Sequence, residues 1–116
     1  MLLTKWQQAQ LPRIEQELRR IVERLIPLGV QRIVLFGSHA RGDFHEGSDI
    51  DLFIVHDTPG RFVERIGRVL EVMDSSLTVE PLVYTPAEVD QMRARGSGLL
   101  ADVEREGRVL YERRAG

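Results

Sequence analysis

Residues 32–55 read RIVLFGSHARGDFHEGSDIDLFIV, and this stretch decides how the chain is organised. Residues 32–36 are apolar, rich in β-branched side chains and followed directly by Gly37-Ser38, which predicts a buried strand that ends at a loop. The run from Ser48 to Val55 is apolar on both faces after its first residues, a pattern typical of a central strand. The sequence therefore predicts two buried strands joined by a polar, glycine-containing loop.

The regions on either side of this stretch predict an α/β fold. Apolar residues at three- and four-residue steps predict a first helix over residues 11–28, with Pro12 in its first turn and Gly29 after its end. The same criteria predict helices over residues 62–73, 85–95 and 99–106, and strands over residues 77–84 and 108–111. We expect a small mixed sheet with helices packed on it, in a single domain of residues 1–116 whose residues 1–28 form an N-terminal helical region.

The composition excludes several kinds of site. The 116 residues include no Cys and only three scattered His, so disulfides, thiol catalysis and thiolate zinc sites are excluded, and a metal must bind to oxygen ligands. The formal net charge of −2 argues against a general nucleic-acid binder, so nucleic acid is not expected as a stable partner. The N-terminal residues lack a signal-peptide pattern, and no run of 18 apolar residues occurs, so we expect a cytoplasmic protein without a membrane partner.

Gly37-Ser38 has the residue types of a phosphate-binding loop. A missing side chain lets backbone N–H groups approach a phosphate, and the Ser38 hydroxyl adds a further donor. A tight turn is the alternative interpretation of this pair. The nearby acidic residues favour the phosphate-binding interpretation.

Asp49 and Asp51 stand two residues apart on a predicted strand, so both carboxylates project from the same face. Unpaired carboxylates beside apolar residues are costly, and a bound cation offsets that cost. Hard oxygen ligands select Mg²⁺ or Mn²⁺, and Glu80 on a neighbouring predicted strand is the best candidate for a third ligand. The alternatives are that the two aspartates are solvated acids at a strand entry and that Glu80 is an ordinary exposed strand residue.

Gly37-Ser38-x-Ala40-Arg41-Gly42 followed by Ser48-Asp49-Ile50-Asp51-Leu52 resembles the signature of the DNA polymerase β nucleotidyltransferase superfamily, in particular its minimal nucleotidyltransferase (MNT) branch. The resemblance implies the palm-like core of that superfamily. Weaker similarity of residues 79–86 and 106–111 to the later strands of the family extends it over most of the chain.

The resemblance also implies roles for individual residues. Gly37 and Ser38 match the positions that hold the terminal phosphates of the nucleotide, and Asp49 and Asp51 match the metal-binding aspartates. Glu80 matches the third metal-binding carboxylate and the general base, although the family usually has Asp there. The role of Arg41 stays open, because it either binds the nucleotide, braces a short helical turn that follows Gly37-Ser38, or pairs with Asp43.

The implied function is Mg²⁺-dependent transfer of a nucleoside monophosphate, expected to be AMP from ATP, to a hydroxyl acceptor. In the minimal branch the partner is a small helical HEPN-domain protein, and the pair acts as a toxin–antitoxin system, which predicts a hetero-oligomer or homo-oligomer in which this chain is the antitoxin. The alternative is a non-catalytic module that binds a nucleotide or the partner and neutralises the partner by contact. Fold-level resemblance does not choose the acceptor.

Overall fold

The computed structural model describes residues 2–114 and contains a mixed sheet of four strands, in the order β3-β2-β1-β4. The central strand β2 is antiparallel to β1 and parallel to β3, while β4 lies antiparallel to β1 at one edge. This confirms the predicted mixed sheet and the central position of β2. The strand bounds are Arg32–Phe36 (β1), Ile50–Val55 (β2), Val79–Tyr84 (β3) and Arg108–Glu112 (β4).

Five α-helices accompany the sheet in residues 2–114, and their bounds are Lys5–Leu25 (α1), Ser38–Arg41 (α2), Phe62–Met73 (α3), Pro86–Ala94 (α4) and Gly98–Glu106 (α5). A 3₁₀ turn, Ile26–Leu28, ends the region of α1. Within the described residues, every helix is too short or too polar to cross a membrane.

The alternation of side chains along the strands gives the sheet two apolar faces, each covered by helices. Leu35 and Leu52 belong to the core that contains the buried residues of α1 and α3. Val34 and Phe53, one residue away on the same strands, belong to a second core with buried residues of α4 and α5. A strand that is apolar on both faces is stable only between two such layers, which explains the near-continuous apolar run of β2.

The prediction that the first helix begins near Leu11, with Pro12 in its first turn, is wrong. The helix begins at Lys5, and Pro12 lies inside it. A capping box starts it, because the Thr4 hydroxyl accepts from the Gln7 N–H at 3.0 Å and the Gln7 side chain accepts from the Thr4 N–H at 2.8 Å. The start was missed because the apolar stripe begins later in the sequence than the capping residues.

Candidate active site

Strand pairing brings the three predicted metal ligands to one end of the sheet. Asp51 is the second residue of β2, opposite Phe36 at the end of β1, and Asp49 immediately precedes β2. Glu80 of β3 is the register partner of Asp51. Because side chains alternate along a strand, Asp51 and Glu80 lie on the same face of the sheet as the α4 and α5 core. Asp49 has the same parity as Asp51, so the three carboxylates form one acidic cluster.

Gly37 is needed where β1 meets α2. Its φ is +74°, in the region that favours glycine, and a Cβ placed on it would overlap the carboxylate of Asp51. The backbone of the predicted phosphate loop therefore runs directly against one member of the acidic cluster. A phosphate bound at this loop would lie beside the carboxylate of Asp51.

The backbone at the start of α2 leaves two donors free. The N–H groups of Ala40 and Arg41 both donate to the Gly37 carbonyl at 3.0 Å. In residues 2–114 the N–H groups of Ser38 and His39 donate to no protein acceptor. Together with the Ser38 hydroxyl, these N–H groups are the donor set that an anion requires.

Two members of the acidic cluster have a raised pKa. The carboxyl of Glu80 is within hydrogen-bonding reach of Asp49, and this contact together with the nearby charges of Asp49 and Asp51 raises the pKa of Glu80. Burial, followed by the charge of Asp49, raises the pKa of Asp51. Two carboxylates this close must share a proton or a cation, because their negative charges repel.

The residues of the cluster fit a hard divalent cation. All the donors are carboxylate oxygens, which are the ligands that hard divalent cations prefer. No three His, Asp or Glu side chains of the described chain are already spaced as a complete ligand set.

The structure holds Arg41 in ion pairs away from the acidic cluster. Its Nε lies 3.3 Å from an oxygen of Asp43, and its guanidinium also donates to Glu106 of α5 at 3.1 Å. This geometry supports the bracing role that the sequence left open. Nucleotide binding by Arg41 stays a prediction, which requires that a phosphate compete with these two carboxylates.

His39 supports the cluster in a way that the sequence analysis did not identify. Its Nδ1 donates to the carbonyl of Asp49 at 3.1 Å, and its ring stacks on Phe44 with 4.7 Å between centroids. Burial lowers the pKa of His39, which favours the neutral ring. Its position inside the glycine motif was the only signal for this role.

Residues of α1 also reach this end of the sheet. A cavity of about 420 Å³ lies between α1, the loop before β2 and the residues before β3, and its lining includes Trp6, Arg13, His39 and Asp49. The Gln7 side chain, in the first turn of α1, donates to two carbonyls of the loop that follows α2. The Thr4-x-x-Gln7 capping pattern could have placed these residues on the helix.

Comparisons with known proteins identify the family and the fold of the chain. A family model described as a nucleotidyltransferase domain matches residues 15–110. A protein of Methanocaldococcus jannaschii named "Putative protein adenylyltransferase MJ0604" is 53% identical over 82 residues, which are 71% of this chain and 79% of that protein.

Two solved structures share the fold. A toxin–antitoxin structure with AMP-PNP has a TM-score of 0.57 and 24% identity, and a variant of the MntA–HpeT toxin–antitoxin has a TM-score of 0.55 and 22% identity. Each comparison covers 84% of this chain and 74% of the other. At these identities the two structures show a common fold. Because the family model spans most of the sequence and the relative from M. jannaschii matches over its larger part, the chain belongs to the nucleotidyltransferase domain family and is a nucleotidyltransferase.

Proposed function

We propose that this protein transfers AMP from ATP to a hydroxyl group of a partner protein in a Mg²⁺-dependent reaction. The partner in this proposal is a small helical HEPN-domain toxin, which the modification neutralises in the cytoplasm. The observation that carries the proposal is the convergence of Asp49, Asp51 and Glu80 beside Gly37 and Ser38.

The proposed reaction assigns a separate task to each part of the site. Gly37 and Ser38 hold the terminal phosphates through backbone N–H groups and the Ser38 hydroxyl. Asp49 and Asp51, with Glu80, would hold Mg²⁺ or Mn²⁺. When bound, such a cation neutralises phosphate charge and stabilises the charge that develops on the transferred group.

Glu80 is the proposed general base. It accepts the proton of the acceptor hydroxyl, whose oxygen then forms a bond to the α-phosphorus of ATP. The bond from that phosphorus to the oxygen bridging to the β-phosphate breaks, and pyrophosphate leaves toward Ser38. Glu80 is exposed and on the same face as Asp51, so an acceptor from outside the chain can reach it.

The relatives support the acceptor and the partner in this proposal. The name of the relative from M. jannaschii specifies adenylyl transfer to protein, and the identity to it is 53% over 82 residues, which are 79% of its length. A solved toxin–antitoxin structure that shares the fold contains AMP-PNP, an adenine nucleotide analogue. These two features favour ATP over other nucleotides and a protein over a small molecule.

The decisive experiment incubates the protein and a HEPN-domain partner with Mg²⁺ and ATP labelled at the α-phosphate. Label is expected on the partner, whereas ATP labelled at the γ-phosphate should transfer none. In Glu80→Gln, transfer should fall by roughly 10²- to 10⁴-fold while nucleotide binding stays intact, as expected for a positioned base. The exposed strand residue Glu112 provides the matched control, because Glu112→Gln should transfer at the rate of the parent protein.

A second candidate function is neutralisation of the partner by contact without chemistry. It is favoured by Glu80, which stands where the family resemblance predicts Asp, and by Pro81 beside it. In that case no label is transferred, and Asp49→Asn antitoxins still protect cells from the toxin. Loss of protection in Asp49→Asn, together with loss of label, would exclude this candidate.

A further inference from the structure

We propose that Gln7 is a positioning residue that ties the first turn of α1 to the loop after the phosphate-binding motif and thereby sets the affinity for nucleotide. The inference rests on the proposed nucleotide site at Gly37 and Ser38. It assigns to the N-terminal helix a function in nucleotide binding rather than in packing alone.

The side chain of Gln7 uses both ends of its amide. It is 8% exposed, and its Nε2 donates to the carbonyl of Gly42 at 3.0 Å and to that of Phe44 at 2.8 Å. Its Oε1 accepts from the N–H of Thr4 at 2.8 Å, which completes the capping box of α1. One buried side chain therefore caps a helix and tethers a loop.

One of the two tethered carbonyls belongs to Gly42, a residue that helps to fix the backbone of Ser38. Gly42 ends α2 with a φ of +91°, and its N–H donates to the Ser38 carbonyl at 2.9 Å. The N–H of Asp43 donates to the same carbonyl at 3.2 Å. A displacement of this loop would therefore move the residue proposed to hold the phosphates.

The second tethered residue connects to the acidic cluster. Phe44 is 3% exposed and stacks on His39, whose Nδ1 donates to the carbonyl of Asp49. Gln7 is thus connected through one loop to both Ser38 and Asp49. This connection distinguishes it from a residue that only stabilises α1.

Loss of the two N–H donors of the Gln7 amide would leave the carbonyls of Gly42 and Phe44 without this hydrogen-bond partner. A buried carbonyl that loses its hydrogen bond costs free energy, so the loop would shift to expose it to water. Nucleotide affinity falls in proportion to the fraction of molecules whose loop remains in the competent arrangement. The effect should therefore appear in the dissociation constant for Mg-ATP.

Two substitutions separate the tether from the cap. Gln7→Glu keeps an oxygen acceptor for the Thr4 N–H, since Glu serves at this position of a capping box, but it has no donor for the loop carbonyls. Thr4→Ala removes the hydroxyl cap and keeps the Gln7 amide. Both variants should lower the melting temperature, but only Gln7→Glu should weaken nucleotide binding.

Calorimetry with Mg-ATP provides the measurement. Gln7→Glu is expected to raise the dissociation constant by roughly 5- to 100-fold, the equivalent of two ordinary hydrogen bonds. Thr4→Ala should remain within about twofold of the parent protein. Equal affinities in Gln7→Glu and the parent, or equal losses in both variants, would overturn the proposal and leave Gln7 a structural residue.

Hydrogen exchange in the unmodified protein tests the same connection without a substitution, and it decides the matter if Gln7→Glu does not fold. Binding of Mg-ATP should slow amide exchange in residues 5–9 together with residues 38–48. Protection of residues 38–48 alone would overturn the proposal. Absence of AMP transfer to a partner with this exchange pattern intact would instead contradict the proposed function and leave the tether standing.

Discussion

Two groups of carboxylates in this molecule have opposite environments. Glu17 and Glu88 are each surrounded by an arginine and backbone or hydroxyl donors, and these hydrogen bonds lower the pKa of each to about 2. Asp51 and Glu80 lie among other acids, and their pKa values are raised. The chain therefore stabilises charged carboxylates where they serve the fold and leaves them uncompensated at one end of the sheet.

The environment of Glu17 shows how many hydrogen-bond donors surround a carboxylate that stabilises the fold. Arg20 donates to both of its oxygens at 2.8 and 2.9 Å, and the Ser75 hydroxyl and the Ser76 N–H each donate at 2.8 Å. Arg20 also donates to the carbonyls of Met73 and Asp74. This network fastens α1 to the segment between α3 and β3.

Within residues 2–114, no arginine donates to the acidic cluster as Arg20 donates to Glu17. Like charges that converge without an arginine destabilise the fold, and such local costs are typical of functional sites. A cation bound from solution would offset the negative charges of Asp49 and Asp51, as the guanidinium of Arg20 offsets the charge of Glu17.

The largest expected effect follows from removing a carboxylate of the cluster. Asp51→Asn should lower AMP transfer by about 10³-fold or more, because a catalytic cation contributes several kcal/mol to transition-state stabilisation. The melting temperature without metal should stay the same or rise, since burial and repulsion already disfavour the charged form of Asp51. An AMP-transfer assay checks the expected loss of activity, and a thermal melt checks the expected melting temperature. Asp90→Asn, on the exposed surface of α4, is the control for both measurements. A marked loss of stability in Asp51→Asn would mean that the acid is structural.

The opposite outcome is expected for Glu17→Gln. Loss of the charged contacts with Arg20 should lower the free energy of unfolding by about 2 kcal/mol, as for charged hydrogen bonds in a partly buried ion pair. Urea denaturation measures this change. Glu104→Gln, which breaks an exposed pair with Arg93, should change stability by only about 0.5 kcal/mol. Similar losses of stability in Glu17→Gln and Glu104→Gln would show that burial does not determine how much an ion pair contributes to stability.

The low pKa values of Glu17 and Glu88 predict how the free energy of unfolding responds to acid. Because the folded-state pKa of Glu17 and Glu88 is about 2, below the ordinary value of 4.5, their contribution is fully present above about pH 5. Stability should fall progressively as the pH decreases from 5 toward 2. Urea denaturation at pH 7, 5, 4 and 3 tests this, and Glu17→Gln should show a shallower decline. A constant free energy of unfolding down to pH 3 would contradict it.

The smallest effect is expected at the phosphate loop. Ser38→Ala removes one neutral hydrogen bond and should weaken Mg-ATP binding by roughly 2- to 12-fold, much less than Asp49→Asn or Asp51→Asn. Calorimetry with and without EDTA measures this order and should also show that binding requires the cation. If the serine matters more than the aspartates, the phosphates do not lie where the proposal places them.

Much of the fold was predictable because its signals are local. The bounds of β1 were predicted in full, and β2 and α3 to within two residues, since apolar runs and turn residues define them. The start of α1 was not predictable from the apolar stripe, because the buried residue of its first turn is Gln7 rather than an apolar side chain. Its burial depends on the loop carbonyls of Gly42 and Phe44.

In the candidate site, too, some features follow from the sequence and others depend on the tertiary structure. The sequence by itself determined the glycine motif, the aspartate pair and a site of oxygen ligands, because these lie within one strand-loop-strand segment. Only the tertiary structure decided that Glu80 stands opposite Asp51, that Arg41 is held by Glu106, and that Gln7 reaches a carbonyl 37 residues away. Such contacts depend on strand register and helix packing, which arise from the whole chain and leave no short-range pattern in the sequence.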